Sequence, residues 1–340
     1  MKYLNKEELE RCLEIEDLTQ NDNHIIGILT NIIINGVSEK YIDATIVRGN
    51  PIVKSIDNYD NLYYPPDTIT KSSIYTRWVD TDNVLRTQMT SIIPETLRNL
   101  NSDDVLLACP GIVYRRDQVD RYHTGEPHQM DVWRITKGVQ YNREDLLELV
   151  QCVIDSILPN TKWRYNETEH YYTKDGIEVE VYLNGEWLEI LECGLALPQL
   201  LTDCGLEGYS GLALGIGLDR SAMLKKDIKD IRILRSSNEK IIRQMSNLDE
   251  YKEVSLRPSI KRDISIVIND ADDIEQIGDI IRSVNGSEVI EEASIKNMWK
   301  YSELPKDVLD KLGMVPGTKN VLLSITIRPI NKTMTNEEAN

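Results

Sequence analysis

The stretch from Arg143 to Asp219 constrains the fold more than any other part of the chain. It opens with REDLLELVQCVIDSIL (143–158), whose apolar residues recur at three- and four-residue spacing, the strongest helical period present. Three β-patterned runs follow at 177–183, 187–193 and 211–217, before another helix opens near Asp219. Upstream, helix-like spacing occupies 6–14 and 24–37, a strand-like run spans 44–53, and two prolines at Tyr63-Tyr64-Pro65-Pro66 exclude helix there. Short β-rich runs at 84–90 and 105–114 alternate with loops. Mixed helices and consecutive strands without a repeated βαβ unit predict an α+β protein with an antiparallel-rich sheet rather than a doubly wound parallel one.

A change of pattern marks a second unit. Residues 236–256 are polar and charged and read as a linker helix. After Pro258 comes a strand at 262–268, a helix at 273–283, a strand at 288–297, a proline-containing insertion and a strand at 320–328. That β-α-β-β order is most of a split βαβ, ferredoxin-like fold. The expected division is a main domain over 1–240, a linker over 241–257 and a ferredoxin-like domain over 258–340. A length of 340 residues suits two domains.

Composition narrows the setting. No apolar run approaches the roughly 20 residues a membrane helix needs. The acid-rich start MKYLNKEELERCLEIEDL lacks the layout of a signal peptide, so the expected location is the cytoplasm. Five scattered cysteines without a CxxC pair argue against a disulfide framework or a structural zinc. A net charge of −17 means that any nucleic-acid contact must come from a local basic patch. One absence stands apart: there is no Phe, beside 16 Tyr and 5 Trp. Abundant Ile, Asn and Lys suggest an AT-rich gene, which would favour Phe codons, so chance is a poor account.

Two segments carry candidate chemistry. In the first, Tyr114-Arg115-Arg116-Asp117 leads through a turn to His123-Thr124-Gly125-Glu126-Pro127-His128-Gln129-Met130-Asp131. An arginine fork can hold phosphate while a nearby acid accepts from an amine, which suits a nucleotide. The same spacing also describes a charged hairpin on a solvated surface. In the second, Gly211-Leu212-Ala213-Leu214-Gly215-Ile216-Gly217 runs into a helix whose first turn holds Asp219 and Arg220. Alternate glycines let a ligand approach the backbone, although they also occur in plainly packed strands. The phosphate-loop signature GxxxxGK[ST] is missing, and no nucleophile–base pair stands out.

Taken together these segments resemble phenylalanyl-tRNA synthetase over nearly the whole chain. Asn50-Pro51 through Asp57-Asn58-Tyr59-Asp60 to Tyr64-Pro65-Pro66 is similar to the first class II motif. Leu85-Arg86-Thr87-Gln88 is similar to the family's LLRT(H/Q)TS strand, the Tyr114–Asp131 hairpin to its second motif, and Gly215–Arg220 to its third. The tail, through Ser259–Ile264 and Asn331–Glu338, resembles the family's ferredoxin-like anticodon-binding domain.

The resemblance implies a class II antiparallel sheet with flanking helices, ATP and Mg²⁺ as cofactors, and an amino acid and tRNA as substrates. It places Arg115 on the α-phosphate, Asp117 on the adenine amine, His123 near the outer phosphates and Arg220 on the opposite side of the nucleotide, with Arg115 and Arg220 as the catalytic pair. Gln88, Thr90, Gln129 and Asp131 match positions that grip the α-amino group, Glu189 an acid suited to Mg²⁺, and Ala213 the bottom of the side-chain pocket. The Pro51 region implies a homodimer. There are departures from the family pattern. Pro127 stands where an adenine-stacking aromatic is expected, His170-Tyr171-Tyr172 replaces a Phe-Pro-Phe pair, and Glu192 occupies a glycine position. A buried Glu192 without a partner would be costly, so the residue is expected to be exposed, metal-bound or paired with a substrate cation. The tail stops before a complete ferredoxin-like unit would. These departures also admit a paralogue that passes its activated amino acid to a non-tRNA acceptor, or a non-catalytic tRNA-binding or regulatory protein. Retained Arg115, Asp117 and Arg220 weigh against the last.

Overall fold

Residues 2–183, 185–254, 259–284 and 287–329 are described by a computed structural model. They fall into two units. The first comprises Met1–Arg115, Glu126–Ile228 and Gln244–Tyr251, and the second Arg116–Gly125, Lys229–Arg243 and Lys252–Asn340.

In the first unit the helices are α1 (Lys6–Leu13), α2 (Ile25–Lys40), α3 (Ser55–Asn58), α4 (Ile93–Arg98), α5 (Arg143–Ile157), α6 (Pro198–Asp203) and α7 (Leu218–Lys226). The strands are β1 (Thr45–Ile46), β2 (Ile52–Lys54), β3 (Asn83–Leu85), β4 (Asp104–Ile112), β5 (His128–Lys137), β6 (Trp163–Glu167), β7 (Thr173–Leu183), β8 (Glu186–Ala196) and β9 (Tyr209–Gly217). Seven strands form one sheet in the order β1-β4-β5-β9-β8-β7-β6. Only the two-residue β1 runs parallel to its neighbour; all other pairs are antiparallel. This is the expected α+β architecture.

The helix read at 143–158 forms because sequence and packing agree. Asn142 caps its first turn, accepting from the backbone of Glu144 and Asp145, while Asp145 reaches back in a capping box. Leu146, Leu149, Val150, Val153, Ile154 and Ile157 then bury one stripe against α2 and the sheet. On the other sheet face, Met89, Ile92, Ile93, Leu97, Leu107, Trp133, Ala213 and Leu200 make a second apolar core. The antiparallel register puts Gln129 opposite Gly217, Asp131 opposite Gly215, Trp133 opposite Ala213 and Glu192 opposite Gly215. Directly opposed residues share a face, so these side chains line one surface of the sheet.

Two local expectations need correction. The run 84–90 is strand only to Leu85; Met89–Ile92 is a 3₁₀ turn, in which Ser91 Oγ donates to the Gln88 carbonyl at 2.8 Å and Pro94 opens α4. The linker at 236–256 is helical only over α8 (Glu239–Met245). Beyond it the backbone turns so that the carbonyls of Asn247 and Asp249 accept from the buried Lys226 ammonium.

The second unit carries β10 (Ile260–Asn269), α9 (Ile274–Ser283), β11 (Ile290–Lys300), α10 (Lys306–Leu312) and β12 (Thr318–Ile327). Its sheet has the order β10-β12-β11, both pairs antiparallel. The expected β-α-β-β succession is present, with α10 inside the proline-containing insertion. The Asn331–Glu338 stretch, and with it the end of the expected ferredoxin-like domain, lies outside the described residues. Residues 116–125 are part of this unit: Val119 joins the apolar core of Ile277, Ala293, Val321, Leu323 and Ile325, and its carbonyl accepts from Ala293 N at 2.9 Å. Arg116 pairs with Asp279 at 2.7 Å, and Glu291, 2% exposed, takes the guanidinium groups of Arg121 and Arg328. Gly278 permits the approach, since a Cβ there would meet the Asp117 carbonyl at 2.3 Å.

Candidate active site

The sheet face carrying Asp131 opens into a small cleft whose lining includes Asp131, Trp133, His170, Tyr172, Glu192 and Ala213. Asp131 is its most constrained group. It is 4% exposed; Thr90 Oγ1 donates to its Oδ2 at 2.8 Å and Trp133 Nε1 donates to the same oxygen at 3.1 Å. Burial outweighs these bonds and pushes the carboxyl from 3.8 up to about 6. Such a group is a ready partner for a cation entering the cavity. Tyr172, stacked at 6.3 Å from Trp133 and 6.0 Å from His170, forms the aromatic wall, and burial pushes its hydroxyl well above its ordinary value.

The sequence left Glu192 to be exposed, metal-bound or paired with a substrate cation; a partner from the chain itself was not among the expectations. It is half-exposed, and its Oε2 lies 3.2 Å from His170 Nε2. The His170 contact, first, and Arg115 hold its carboxyl below the ordinary value against burial. The distance makes this an ion-pair contact, whereas its angles do not make a hydrogen bond: His170 Nε2 has no hydrogen-bond partner among the described residues.

Gln88 is held at both ends of its amide, by Tyr64 Oη donating to Oε1 at 3.1 Å and by Nε2 donating to the Asn58 carbonyl at 3.2 Å. Arg115, half-buried, donates from Nε to the Thr87 carbonyl at 2.8 Å. Gln129 stands on β5 in register with Gly217, half-buried. Arg220, in the first turn of α7, donates to the Glu189 carbonyl at 3.2 Å and lies 3.7 Å from its carboxylate. Burial, and then the carboxylates of Glu192, Glu178 and Glu180, push Glu189 up, while Arg220 pulls it down. An acid crowded by acids is a place where a cation relieves repulsion. No cluster of three metal-ligating side chains exists among the described residues. Mg²⁺ keeps several waters and takes one or two carboxylates together with substrate phosphates, a role the Glu189 carboxylate fits.

The remaining candidates, Asp117 and His123, belong to the second unit. Asp117 Oδ1 accepts from Gln118 N at 2.8 Å, and His123 Nδ1 lies 2.7 Å from Asp120. Desolvation opposes, but the His123 bond and two backbone donors hold Asp120 below its ordinary value.

Sequence reasoning assigned no role to four residues that build the site: Arg86, Gly111, His128 and Asp219. Arg86, 2% exposed, donates from Nε to the Ile112 carbonyl at 2.8 Å and from Nη1 to the Arg48 carbonyl at 2.5 Å; burial lowers its pKa. Gly111 is required beside it, because a Cβ would meet Arg86 Nη2 at 2.4 Å. His128, fully buried, accepts at Nε2 from Leu18 N at 3.1 Å, which leaves the proton on Nδ1 facing Asp219 at 3.2 Å. Asp219 also accepts from His128 N, so this pair ties the start of β5 to the first turn of α7.

Comparison with known proteins agrees with this geometry. The family described as tRNA synthetases class II core domain (F) matches residues 14–245. The phenylalanine--tRNA ligase of Arabidopsis thaliana chloroplasts and mitochondria is 28% identical over 338 residues, covering 95% of this chain and 75% of that protein. The probable mitochondrial phenylalanine--tRNA ligase of Drosophila melanogaster is 27% identical, over 86% of this chain and 74% of its own. The mitochondrial phenylalanine--tRNA ligase of Saccharomyces cerevisiae is 25% identical, over 94% and 84%. With most of its length matched, and with the antiparallel sheet and ordered motifs in place, the chain belongs to the class II tRNA synthetase core domain (F) family.

Proposed function

We propose that this chain activates phenylalanine with ATP and transfers it to tRNA. The observation that carries the reading is the buried Asp131, fixed by Thr90 and Trp133 at the edge of an aromatic-walled cavity inside a family-matched sheet. In the first step the phenylalanine carboxylate attacks the α-phosphorus of ATP and pyrophosphate leaves, giving the aminoacyl-adenylate. In the second a 3′-terminal hydroxyl of tRNA attacks the carbonyl carbon and AMP leaves. No side-chain nucleophile is needed, since such reactions proceed through positioning and charge stabilisation.

In this reading Asp131, Gln129, Gln88 and Thr90 orient the α-ammonium; Tyr172, His170, Glu192 and Ala213 surround the side chain. Arg115 and Arg220 hold the nucleotide phosphates and stabilise charge on the α-phosphoryl group, with Asp117 on the adenine amine and His123 on the outer phosphates. Glu189 would hold Mg²⁺, which supplies charge neutralisation for the departing pyrophosphate. The unit from Lys252 onward supplies the tRNA-binding tail, and a homodimer forms through the Pro51 region. The compartment in this reading is the cytoplasm, while the relatives named above are mitochondrial or chloroplastic.

The test is ATP–pyrophosphate exchange across a panel of amino acids, followed by charging with and without tRNA. Phenylalanine-dependent exchange with transfer to tRNA is expected. Exchange without transfer would favour the non-tRNA acceptor, and no exchange with any amino acid would refute the reading. Light scattering reads the dimer, and a fluorescent fusion the compartment.

A further inference from the structure

We infer that the chain is kept free of phenylalanine so that its own synthesis does not draw on the charged tRNA it produces. The inference rests on the proposed charging of tRNA with phenylalanine. Its observation is independent: 340 residues contain 21 Tyr and Trp rings and no Phe.

Packing does not explain this. At three enclosed ring positions the polar tips are given partners: Tyr59 Oη donates to the Thr70 carbonyl, Trp78 Nε1 to the Lys71 carbonyl and Trp133 Nε1 to Asp131, each at 3.1 Å. Such positions suit Tyr or Trp on their own terms. Tyr41 does not. It caps α2, and its hydroxyl is sealed from solvent with no hydrogen-bond partner among the described residues. Burial raises its pKa, and the nearby acidic groups of Cys152, Glu148, Tyr141 and Asp145 raise it further. An unsatisfied buried hydroxyl is a net penalty that phenylalanine, the same ring without the oxygen, would remove. The site prefers Phe physically and carries Tyr. Exposed rings such as Tyr165 and Tyr182, 40% and 42% accessible, place no demand for a hydroxyl either, since Phe would fit both. Phenylalanine is therefore excluded at positions where folding admits or favours it.

The functional consequence follows from translation. When phenylalanine runs short, any messenger with Phe codons stalls as charged tRNA is exhausted. A messenger without them is still read at the supply of the other nineteen residues. The ligase then accumulates during the shortage, and charging recovers at once when phenylalanine returns.

The experiment compares the natural chain with Tyr41→Phe and with the triple variant Tyr41→Phe/Tyr165→Phe/Tyr182→Phe, each as the sole phenylalanine-charging enzyme of a phenylalanine auxotroph. Purified proteins are first compared for melting temperature and for charging rate. We expect Tyr41→Phe to melt at the same or a higher temperature, and all three to charge equally. During starvation the natural chain should keep accumulating while the triple variant falls several-fold behind. On refeeding, charged tRNA should recover faster with the natural chain. A Tyr41→Phe protein that is clearly destabilised would overturn the packing step. Equal accumulation in starvation, or equal recovery on refeeding, would overturn the inference. Absence of phenylalanine charging by the purified natural chain would instead overturn the proposed function.

Discussion

Replacing Asp131 by Asn separates the cost of the buried carboxylate to the fold from its use to the substrate. The carboxyl is raised from 3.8 to about 6 on folding, so the folded state binds its proton more tightly than the unfolded chain. The penalty for ionised burial is therefore fully present above pH 6 and fades as pH falls toward 3.8. A shift of that size corresponds to about 3 kcal/mol at pH 8, falling to about 1 kcal/mol at pH 4.5. Thr90 Oγ1 and Trp133 Nε1 both donate to Oδ2, so an asparagine with its amide oxygen there keeps both bonds. The other oxygen, Oδ1, faces Gly215, where a Cβ would lie 3.5 Å away, and the substituted amide nitrogen would occupy its place. Asp131→Asn should thus be more stable than the parent at pH 8, by up to about 3 kcal/mol, with the gap narrowing at low pH. It should also bind phenylalanine worse, since a donor meets the α-ammonium where a charged acceptor stood. A lost charge-assisted bond of about 1.5–3 kcal/mol lowers kcat/KM roughly 10- to 150-fold. Denaturant melts at pH 8 and 4.5, with exchange kinetics over phenylalanine concentration, measure both effects. A variant that is destabilised at pH 8, or one whose kcat/KM for phenylalanine is unchanged, would refute the placement of Asp131 against the substrate.

Arg115→Ala and Arg220→Ala should each raise the barrier of pyrophosphate exchange by about 2–4 kcal/mol, and undiminished exchange in either would remove that residue from the phosphate site. Glu192→Gly should increase the preference for phenylalanine over tyrosine, because the His170–Glu192 pair offers a ring hydroxyl a polar partner. Glu192 is half-exposed, which limits the change to about tenfold; competition kinetics with the two amino acids decide it, and an unchanged ratio refutes the polar-wall reading. Lys226→Met should destabilise the first unit by about 1.5–3 kcal/mol, since it strips the Asn247 and Asp249 carbonyls of a buried ammonium donor; an unshifted denaturation midpoint would count against that anchor.

Regular periodicity carried the parts of the fold that were legible from sequence. The 143–158 helix and the strands at 177–183, 187–193 and 211–217 were visible because each repeats its apolar spacing, and they appear as α5, β7, β8 and β9. Asp131 and Ala213 sit on one face because both lie on regular strands whose pairing sets the register. Features made by single long side chains were not legible. Nothing in the spacing says that Arg86 spans the chain from Arg48 to Ile112, or that Lys226 holds residues twenty and more positions away. The 3₁₀ turn at 89–92 was hidden because the run reads as β-rich, while the Ser91 hydroxyl bonds locally to the Gln88 carbonyl and that of Thr90 turns to Asp131. The sorting of residues 116–125 into the second unit was invisible for another reason: it depends on Val119, Arg116 and Gly278 meeting partners more than 150 positions apart in sequence.

The Arg86 anchor has a thermodynamic consequence for the proposed reaction. Its side chain holds the carbonyls of Arg48 and Ile112, its own carbonyl accepts from Tyr114 N at 2.8 Å, and the next carbonyl, of Thr87, accepts from Arg115 Nε. Arg115, which would grip ATP, is therefore strapped to the same three residues that carry Gln88, which would grip the amino acid. Two reactants that meet by diffusion lose translational and rotational freedom in the encounter, and in a well-oriented pair that loss is worth roughly 7–11 kcal/mol of barrier. Here much of the ordering is done when the chain folds, before either substrate arrives, because the two grips cannot drift apart without breaking bonds around one buried guanidinium. Fluctuations that move one binding group carry the other with it, so the gap between attacking oxygen and phosphorus is buffered against the motion of the surrounding loops.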